Sequence, residues 1–247
     1  MKLFVFSILC VFNLLSSAQA IEYKELEVYG YRTASVRELE IENATSASSN
    51  DRQEILSRTL RSSFEFVYGV TDRLEIAAYL DYLRPPDEKF EYTSFRAHAR
   101  THFYEKGELP VDLGAYVEVE LPKNTAEKDM AFELKPILEK DFSRWTISLN
   151  PQIELEHEID EKDSNATSKT WLWVFGMSSS LSYRLNDRFK PHLDLFQGFT
   201  DQDALLMPAF DVVLADHLKF TFGLGFGLND RTERRITNAR LEYEVYF

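Results

Sequence analysis

The sequence is poor in the residues on which several protein classes depend. It has one cysteine and 9 glycines in 247 residues, and 41 acidic residues outnumber 28 basic ones, for a formal net charge of −13. The lone cysteine excludes a disulfide-stabilised scaffold, and the acidic balance argues against nucleic acid as a partner. No run of about 18 apolar residues follows Ala20, which excludes a helical membrane protein.

Aromatic residues, in contrast, are abundant. The chain contains 19 Phe, 12 Tyr and 3 Trp, or 14% of all residues. A chain with this content can bury much apolar surface, so intrinsic disorder is excluded despite 28% charged residues.

The first twenty residues have the features of an export signal. Met1-Lys2 provides a positive start, Leu3 to Leu15 is an apolar run, and the segment ends in a small-x-small pattern at Ala20. A transmembrane anchor would need about 20 apolar residues, more than this run supplies. We expect residues 1–20 to be a cleaved secretory signal peptide, which would leave residues 21–247 as a mature chain without cysteine, because Cys10 lies in the signal.

Along the mature chain, apolar and polar residues alternate with period two, which is typical of strands exposed to different environments on their two faces. In residues 144–157 the odd positions are apolar up to Leu155 and the even positions polar, and residues 111–121 and 218–228 repeat the pattern. The pattern predicts twelve strands. Their approximate ranges are 23–41, 53–69, 73–83, 90–104, 111–121, 130–140, 144–157, 170–185, 189–199, 204–214, 217–228 and 235–247.

The length of these strands favours a membrane barrel over a soluble sandwich. A tilted transmembrane strand needs about 9–11 residues, and an even number of antiparallel strands with alternating short turns and longer loops is typical of outer-membrane barrels. Aromatic residues are also expected at the two membrane interfaces. The predicted interface residues are Tyr68, Phe103, Trp145, Tyr183 and Phe189 near the short turns, and Trp171 and Trp173 near the longer loops.

We therefore predict an all-β fold, an antiparallel transmembrane β-barrel that occupies residues 21–247 and has twelve strands. An alternative has ten strands, with residues 21–50 as a periplasmic or luminal extension. In both cases the protein is expected in a bacterial outer membrane.

The end of the chain carries a family resemblance. Leu241, Tyr243, Val245 and Phe247 alternate on one face and finish on a terminal Phe. In this respect the sequence resembles bacterial outer-membrane β-barrel proteins of the porin type. The resemblance implies that Phe247 is the assembly signal recognised by the barrel-assembly machinery. The segment Tyr68 to Glu75 is also similar to a turn in outer-membrane transporters of the phenol-degradation-pathway type.

If the apolar face meets lipid, the polar face lines the lumen. Strand four then places a basic ladder inside, formed by Arg96, His98, Arg100 and His102, and its neighbours carry acidic residues that can pair with it across the strands. A basic strip that faces acidic walls can order ions in a pore, or the same charges can pair and fill the lumen. The predicted lumen-lining residues are Glu75, Asp81, Arg96, His98, Arg100, His102, Asp112, Glu118, Glu120, Glu154 and Glu156.

These features favour a passive or weakly selective channel for small polar or charged solutes. The alternatives are a structural or surface-interaction barrel with a charge-filled lumen and a lipid-modifying enzyme. His157 is the candidate for the last, but no serine lies two residues away from it on its strand, so we expect no catalytic residues. No zinc or phosphate-binding motif occurs, and no metal or cofactor is expected. The expected partners are outer-membrane lipids, the assembly machinery and small solutes.

Overall fold

A computed structural model describes residues 27–49, 58–123, 130–160, 168–232 and 235–246. These residues form one closed barrel of twelve antiparallel strands, in which each strand pairs with its sequence neighbours and β1 pairs with β12. Within these ranges no helix is long and apolar enough to span a bilayer. The strands are β1 Glu38–Ser49, β2 Thr59–Thr71, β3 Leu74–Arg84, β4 Glu91–His102, β5 Asp112–Pro122, β6 Ala131–Phe142, β7 Trp145–Asp160, β8 Ser168–Tyr183, β9 Phe189–Gly198, β10 Asp203–Ala215, β11 Leu218–Gly227 and β12 Arg235–Tyr246.

The strands present their apolar side chains on the outside of the barrel and mostly polar side chains on the inside. On β5, Val117 and Leu121 are exposed on the outside, whereas Asp112, Tyr116 and Glu120 are buried on the inside. In a soluble protein apolar side chains are buried and polar ones exposed, whereas here the arrangement is reversed, as the sequence alternation predicts. The structure therefore confirms the predicted twelve-stranded transmembrane barrel.

Turns of two residues join β2 to β3, β6 to β7 and β10 to β11 at one end of the barrel, which we call the short-turn end. The opposite, long-loop end includes the connections between β5 and β6 and between β7 and β8. The β7–β8 hairpin is the longest, with both strands 16 residues long.

The predicted bounds of the first strand, residues 23–41, are wrong for residues 27–37, and residues 23–26 lie outside the described residues. β1 begins at Glu38, and the stretch predicted as a loop from residue 42 onward continues this strand to Ser49. Tyr29 and Tyr31 are two residues apart, and this local period-two pattern is the one that a strand would show. Residues 43–49 are small or polar on both faces and gave no period-two signal, yet they pair in register with β2 and β12.

The predicted interface aromatics lie at the two ends of the strands. Tyr68, Phe103 and Trp145 are exposed near the short-turn end, where the Trp145 and Tyr183 rings lie 4.7 Å apart. Trp171 and Trp173 are exposed on β8 towards the long-loop end. Phe189 begins β9 and contacts Phe210 with ring centroids 5.7 Å apart. Phe247 and the predicted signal peptide lie outside the described residues.

Candidate solute path and luminal segment

Residues 27–37 run inside the barrel before β1 begins, and we call them the luminal segment. Wall side chains replace the hydrogen-bond partners that a sheet would give this backbone. Asn150 accepts from the Tyr29 N–H at 2.7 Å and donates to the Tyr29 carbonyl at 3.1 Å. Glu139 accepts from the Tyr31 N–H at 3.1 Å, and Glu75 accepts from the Ala34 N–H at 2.5 Å. The segment is thus held by β7, β6 and β3.

An aromatic cluster fixes the centre of the luminal segment against the wall. Tyr29 stacks on Tyr116 of β5 with ring centroids 4.3 Å apart, and His98 of β4 lies 4.6 Å from Tyr116. The hydroxyl of Tyr29 is 3.3 Å from that of Tyr79 on β3. Because Tyr29, Tyr79 and Tyr116 are all buried, this part of the lumen is packed like a protein core.

Arg96 of the basic ladder lies in this packed region, whereas His98 and Arg100 also line the cavity described below. Arg96 is 1% exposed, with Nε 2.7 Å from Asp81 Oδ2, Nη1 3.1 Å from Glu118 Oε2 and its guanidinium over the Tyr79 ring. Arg100 Nε lies 2.6 Å from Glu75 Oε1. A buried guanidinium paired with two carboxylates is bound in place by its hydrogen bonds, so Arg96 belongs to the packing of the wall.

The other predicted lumen residues lie at different heights of the barrel. The His102 ring contacts the Thr33 hydroxyl of the luminal segment at 3.2 Å, and Asp112 accepts from the Gly107 N–H at 2.6 Å. Glu120 is buried opposite Arg96 in the β4–β5 register. Glu154 accepts a hydrogen bond from Gln152 at 3.3 Å, and Glu156 lies opposite Leu172 in the β7–β8 hairpin, towards the long-loop end. The structure therefore brings Glu75, Asp81, Arg96, His98, Arg100 and Glu118 together, and Glu154 lies at the level of Glu118, two strands away.

A cavity of about 480 Å³ lies beside the luminal segment. Of the predicted lumen residues, its lining includes Glu75, His98 and Arg100. Its remaining wall comes largely from β8 to β12, with the charged residues Lys190, His192, Asp211, Lys219, Arg240 and Glu242.

The charges of this second wall form ion pairs across neighbouring strands. Lys190 Nζ is 2.8 Å from Asp211 Oδ2, and Lys219 Nζ is 2.5 Å from Glu242 Oε2. Arg240 bridges Glu42 of β1 at 2.8 Å and Glu27 of the luminal segment at 2.6 Å. Alternation already points these residues inward. The sequence does not reveal which wall the luminal segment covers, and the predicted lumen-lining residues were therefore centred on β4.

Charges also pair where the β4–β5 connection, residues 103–111, meets the lumen. Lys106 Nζ lies 2.7 Å from Glu139 Oε1 and 3.0 Å from Asp141 Oδ2. Burial lowers the pKa of Lys106, but hydrogen bonds and charge attraction from these two carboxylates outweigh burial and raise it above the ordinary value. Lys106 is therefore charged at neutral pH and forms its ion pairs at the edge of the cavity.

Three carboxylates come close together near the start of β1. Glu38, Glu40 and Glu244 each place one oxygen within 4.8 Å of the others. Glu38 already accepts from the Ser35 N–H at 2.6 Å and pairs with Arg32 at 3.4 Å. These bonds tie the end of the luminal segment to β1.

Comparisons with known proteins give the class of the fold. No family model and no curated protein matches the sequence. Among solved structures, the chain is similar to a COG4313 outer membrane channel from Pseudomonas putida F1, with a TM-score of 0.67, 13% identity and coverage of 90% of this chain and 100% of that one. It is also similar to the NanC porin, with a TM-score of 0.58, 7% identity and coverage of 85% and 99%.

An enzyme shares the architecture as well. An active-site variant of outer membrane phospholipase A from Escherichia coli matches with a TM-score of 0.50, 8% identity and coverage of 90% of this chain and 94% of that one. At these identities the matches establish the fold: this chain forms a porin-like outer-membrane β-barrel. The fold is common to channels and to at least one lipid hydrolase, so function must be argued from the lumen and surface of this barrel.

Proposed function

We propose that the protein is an outer-membrane channel through which small polar or charged solutes pass by passive, weakly selective diffusion. The observation that carries this proposal is the cavity of about 480 Å³ beside the luminal segment, which is lined largely by charged groups, many of them on β8 to β12. Twelve strands enclose more space than the eight that side chains alone fill, and here the luminal segment takes up only one side of it. Similarity to channel proteins supports the same conclusion.

Planar-bilayer recording of the refolded full chain tests the proposal. We expect discrete, ohmic conductance steps in potassium chloride, small ones because half of the lumen is packed. A barrel that inserts, shifts its gel mobility on boiling and still gives no steps would contradict the channel.

The packed half supports a second candidate, a structural or surface-interaction barrel with a charge-filled lumen. Arg96 and Tyr116 are 1% and 0% exposed, as in a closed core. Extension of such packing across the whole lumen would seal it. The same recordings separate the two candidates, because a sealed barrel would raise membrane conductance no more than an empty bilayer does.

We propose no enzymatic activity. His157 lies on β7 with its ring 4.9 Å from that of Trp171, an exposed residue, which suits a residue at a lipid interface. A phospholipid-hydrolysis assay with the refolded protein and with His157→Ala tests this assignment. Hydrolysis that is lost in the variant would overturn it.

A further inference from the structure

One part of the outer surface is not apolar, although it lies on membrane-spanning strands. Glu42 and Ser48 are buried on the luminal side of β1, so the odd-numbered residues of this strand point outwards. From Asn43 onward these outward residues are small or polar, and so are several that lie beside them on β2 and β12. We call this group the polar patch; its members are Asn43, Thr45 and Ala47 on β1, Ser62 on β2, and Thr237 and Ala239 on β12.

The polar patch lies at levels where a neighbouring strand is strongly apolar. Phe222 of β11 lies opposite Ala239, and the next outward residue of β11, Leu224, lies opposite Thr237. Leu224 is 43% exposed on the outside, and Phe226, one outward position nearer the long-loop end, is 46% exposed. β11 therefore requires an apolar environment at the level of the polar patch and beyond it, which places the patch within the lipid-facing band of the barrel.

Three polar side chains of the patch form one hydrogen-bonded network on the outer face. The Asn43 amide donates to the Ser62 hydroxyl at 3.1 Å and to the Ser63 carbonyl at 3.2 Å. The Thr45 hydroxyl lies 3.1 Å from the Ser62 hydroxyl and donates to the Asn43 amide oxygen at 3.4 Å. The amide oxygen of Asn43 and the hydroxyl oxygen of Thr45 keep further acceptor capacity, so the network can accept hydrogen bonds from another molecule.

The opposite edge of the patch supplies a donor. Thr237 of β12 makes no side-chain hydrogen bond to the residues that the structure describes, so its hydroxyl can donate outside the chain. Ala47 lies opposite Thr237 and Ala239 is two residues further along β12, and such small side chains let another backbone approach closely. A lipid acyl chain has no hydrogen-bonding group, whereas a second copy of this chain presents both the donor and the acceptors.

The strands that carry the patch offer enough area for a contact between two copies. β1 has 12 residues, which at about 3.4 Å per residue is about 40 Å, and three neighbouring strands are about 14 Å wide. A face of this size measures about 560 Å² on each copy and about 1,100 Å² on both. That area exceeds the roughly 1,000 Å² that a specific interface requires.

We propose that two copies of this protein associate side by side in the membrane through their polar patches, related by a twofold axis parallel to the membrane normal. Both copies then have the same orientation in the membrane, and β12 of each faces β2 of the other. The Thr237 edge of one patch thereby meets the Asn43–Thr45–Ser62 network of the other. The dimer does not depend on conduction, so it is tested separately from the proposed channel.

Single-molecule photobleaching of the refolded protein in lipid vesicles counts the copies in each particle. A dye on Asp187→Cys, in the exposed turn between β8 and β9, labels the barrel away from the polar patch. Cys10→Ser removes the one natural cysteine from the labelled chain. We expect mostly two bleaching steps per particle at a protein density too low for chance encounters.

Two variants make the patch resemble the apolar face of β11 and one control makes a matching change elsewhere. Thr45→Leu removes a hydroxyl from the network, and Ala239→Phe fills the space beside Thr237. Both suit a lipid surface, so the barrel should remain folded, as heat-shifted gel mobility verifies. Symmetry counts each lost contact twice, and we expect each variant to weaken dimerisation about tenfold. Ala115→Phe, on the outward face of β5, should leave the step counts unchanged.

The geometry of the contact has its own readout. A cysteine at Ala47, close to the twofold axis, should crosslink to its own copy under mild oxidation, whereas a cysteine at Ala115 should not. Single bleaching steps for the unmodified patch at every protein density, or equal step counts for Ala239→Phe and Ala115→Phe, would overturn the proposal. A monomer that retains lipopolysaccharide, and loses it in Ala239→Phe, would assign the patch to lipid and overturn the dimer as well.

Discussion

At the residue scale, Gly69 shows how closely the luminal segment approaches the wall. A Cβ atom at this position would lie 1.8 Å from the Ser35 carbonyl oxygen, and the Gly69 carbonyl accepts from the Arg37 N–H at 2.9 Å. The close approach requires glycine because the neighbouring atom is backbone and cannot rotate away. The luminal segment can lie against β2 only because residue 69 has no side chain.

We predict that Gly69→Ala displaces residues 34–36 from the wall, with an overpacking cost of about 1–3 kcal/mol in the free energy of unfolding. A cysteine placed at Thr33, which is 5% exposed, should then react faster with a thiol reagent. Ala97→Val, on the outward face of β4, is the matched control and should leave the reaction rate unchanged. Equal rates in both variants would show that the close approach does not hold the segment.

Asn150 provides a second anchor that can be tested separately. Its buried amide makes both hydrogen bonds to the Tyr29 backbone, and each bond contributes about 0.5–1.5 kcal/mol. We predict that Asn150→Leu weakens the attachment of the segment by about 2 kcal/mol, seen as faster labelling at a Thr33 cysteine. Unchanged labelling would assign the anchoring to the tyrosine stack instead.

At the scale of elements, the luminal segment determines which half of the lumen is open. It is hydrogen-bonded to the walls of β3, β6 and β7, and the cavity beside it is lined mostly by β8 to β12, with smaller contributions from the other side. We predict that a refolded chain lacking residues 1–37 has a several-fold larger unit conductance, because water and ions then reach both halves. Unchanged conductance, with the barrel shown by its gel mobility to be folded, would mean that the segment does not restrict the path.

The sequence predicts most elements of this barrel but not the luminal segment. Strands such as β5, β7 and β11 alternate because one face meets an apolar and the other a polar environment, so period two identifies them. The small polar residues 43–49 are placed in β1 by pairing with β2 and β12, a long-range effect that no local pattern records. The ion pairs were partly predictable from alternation, whereas the packing of Tyr29 on Tyr116 depends on a chain path that alternation does not encode.

At the scale of the whole molecule, the outward apolar surface is the surface that lipid should cover. Val117, which is 48% exposed, lies near the middle of β5, and Leu121 lies near its long-loop end. We predict that Val117→Arg lowers the free energy of unfolding in lipid vesicles by about 2–4 kcal/mol and Leu121→Arg by about 0–1 kcal/mol, because the cost of a buried charge falls with distance from the membrane midplane. Equal effects at the two positions would be inconsistent with a membrane-spanning β5.

We propose that solutes cross the barrel along the β8–β12 wall and not through the packed region around Ser94 and Arg96. Single-channel recording with a charged thiol reagent tests it most directly, on Thr221→Cys in the cavity lining and on Ser94→Cys in the packed wall, where Ser94 is 5% exposed. We predict that the reagent lowers the unit conductance of the Thr221→Cys barrel and leaves that of the Ser94→Cys barrel unchanged. A reagent effect confined to the Ser94→Cys barrel would contradict it.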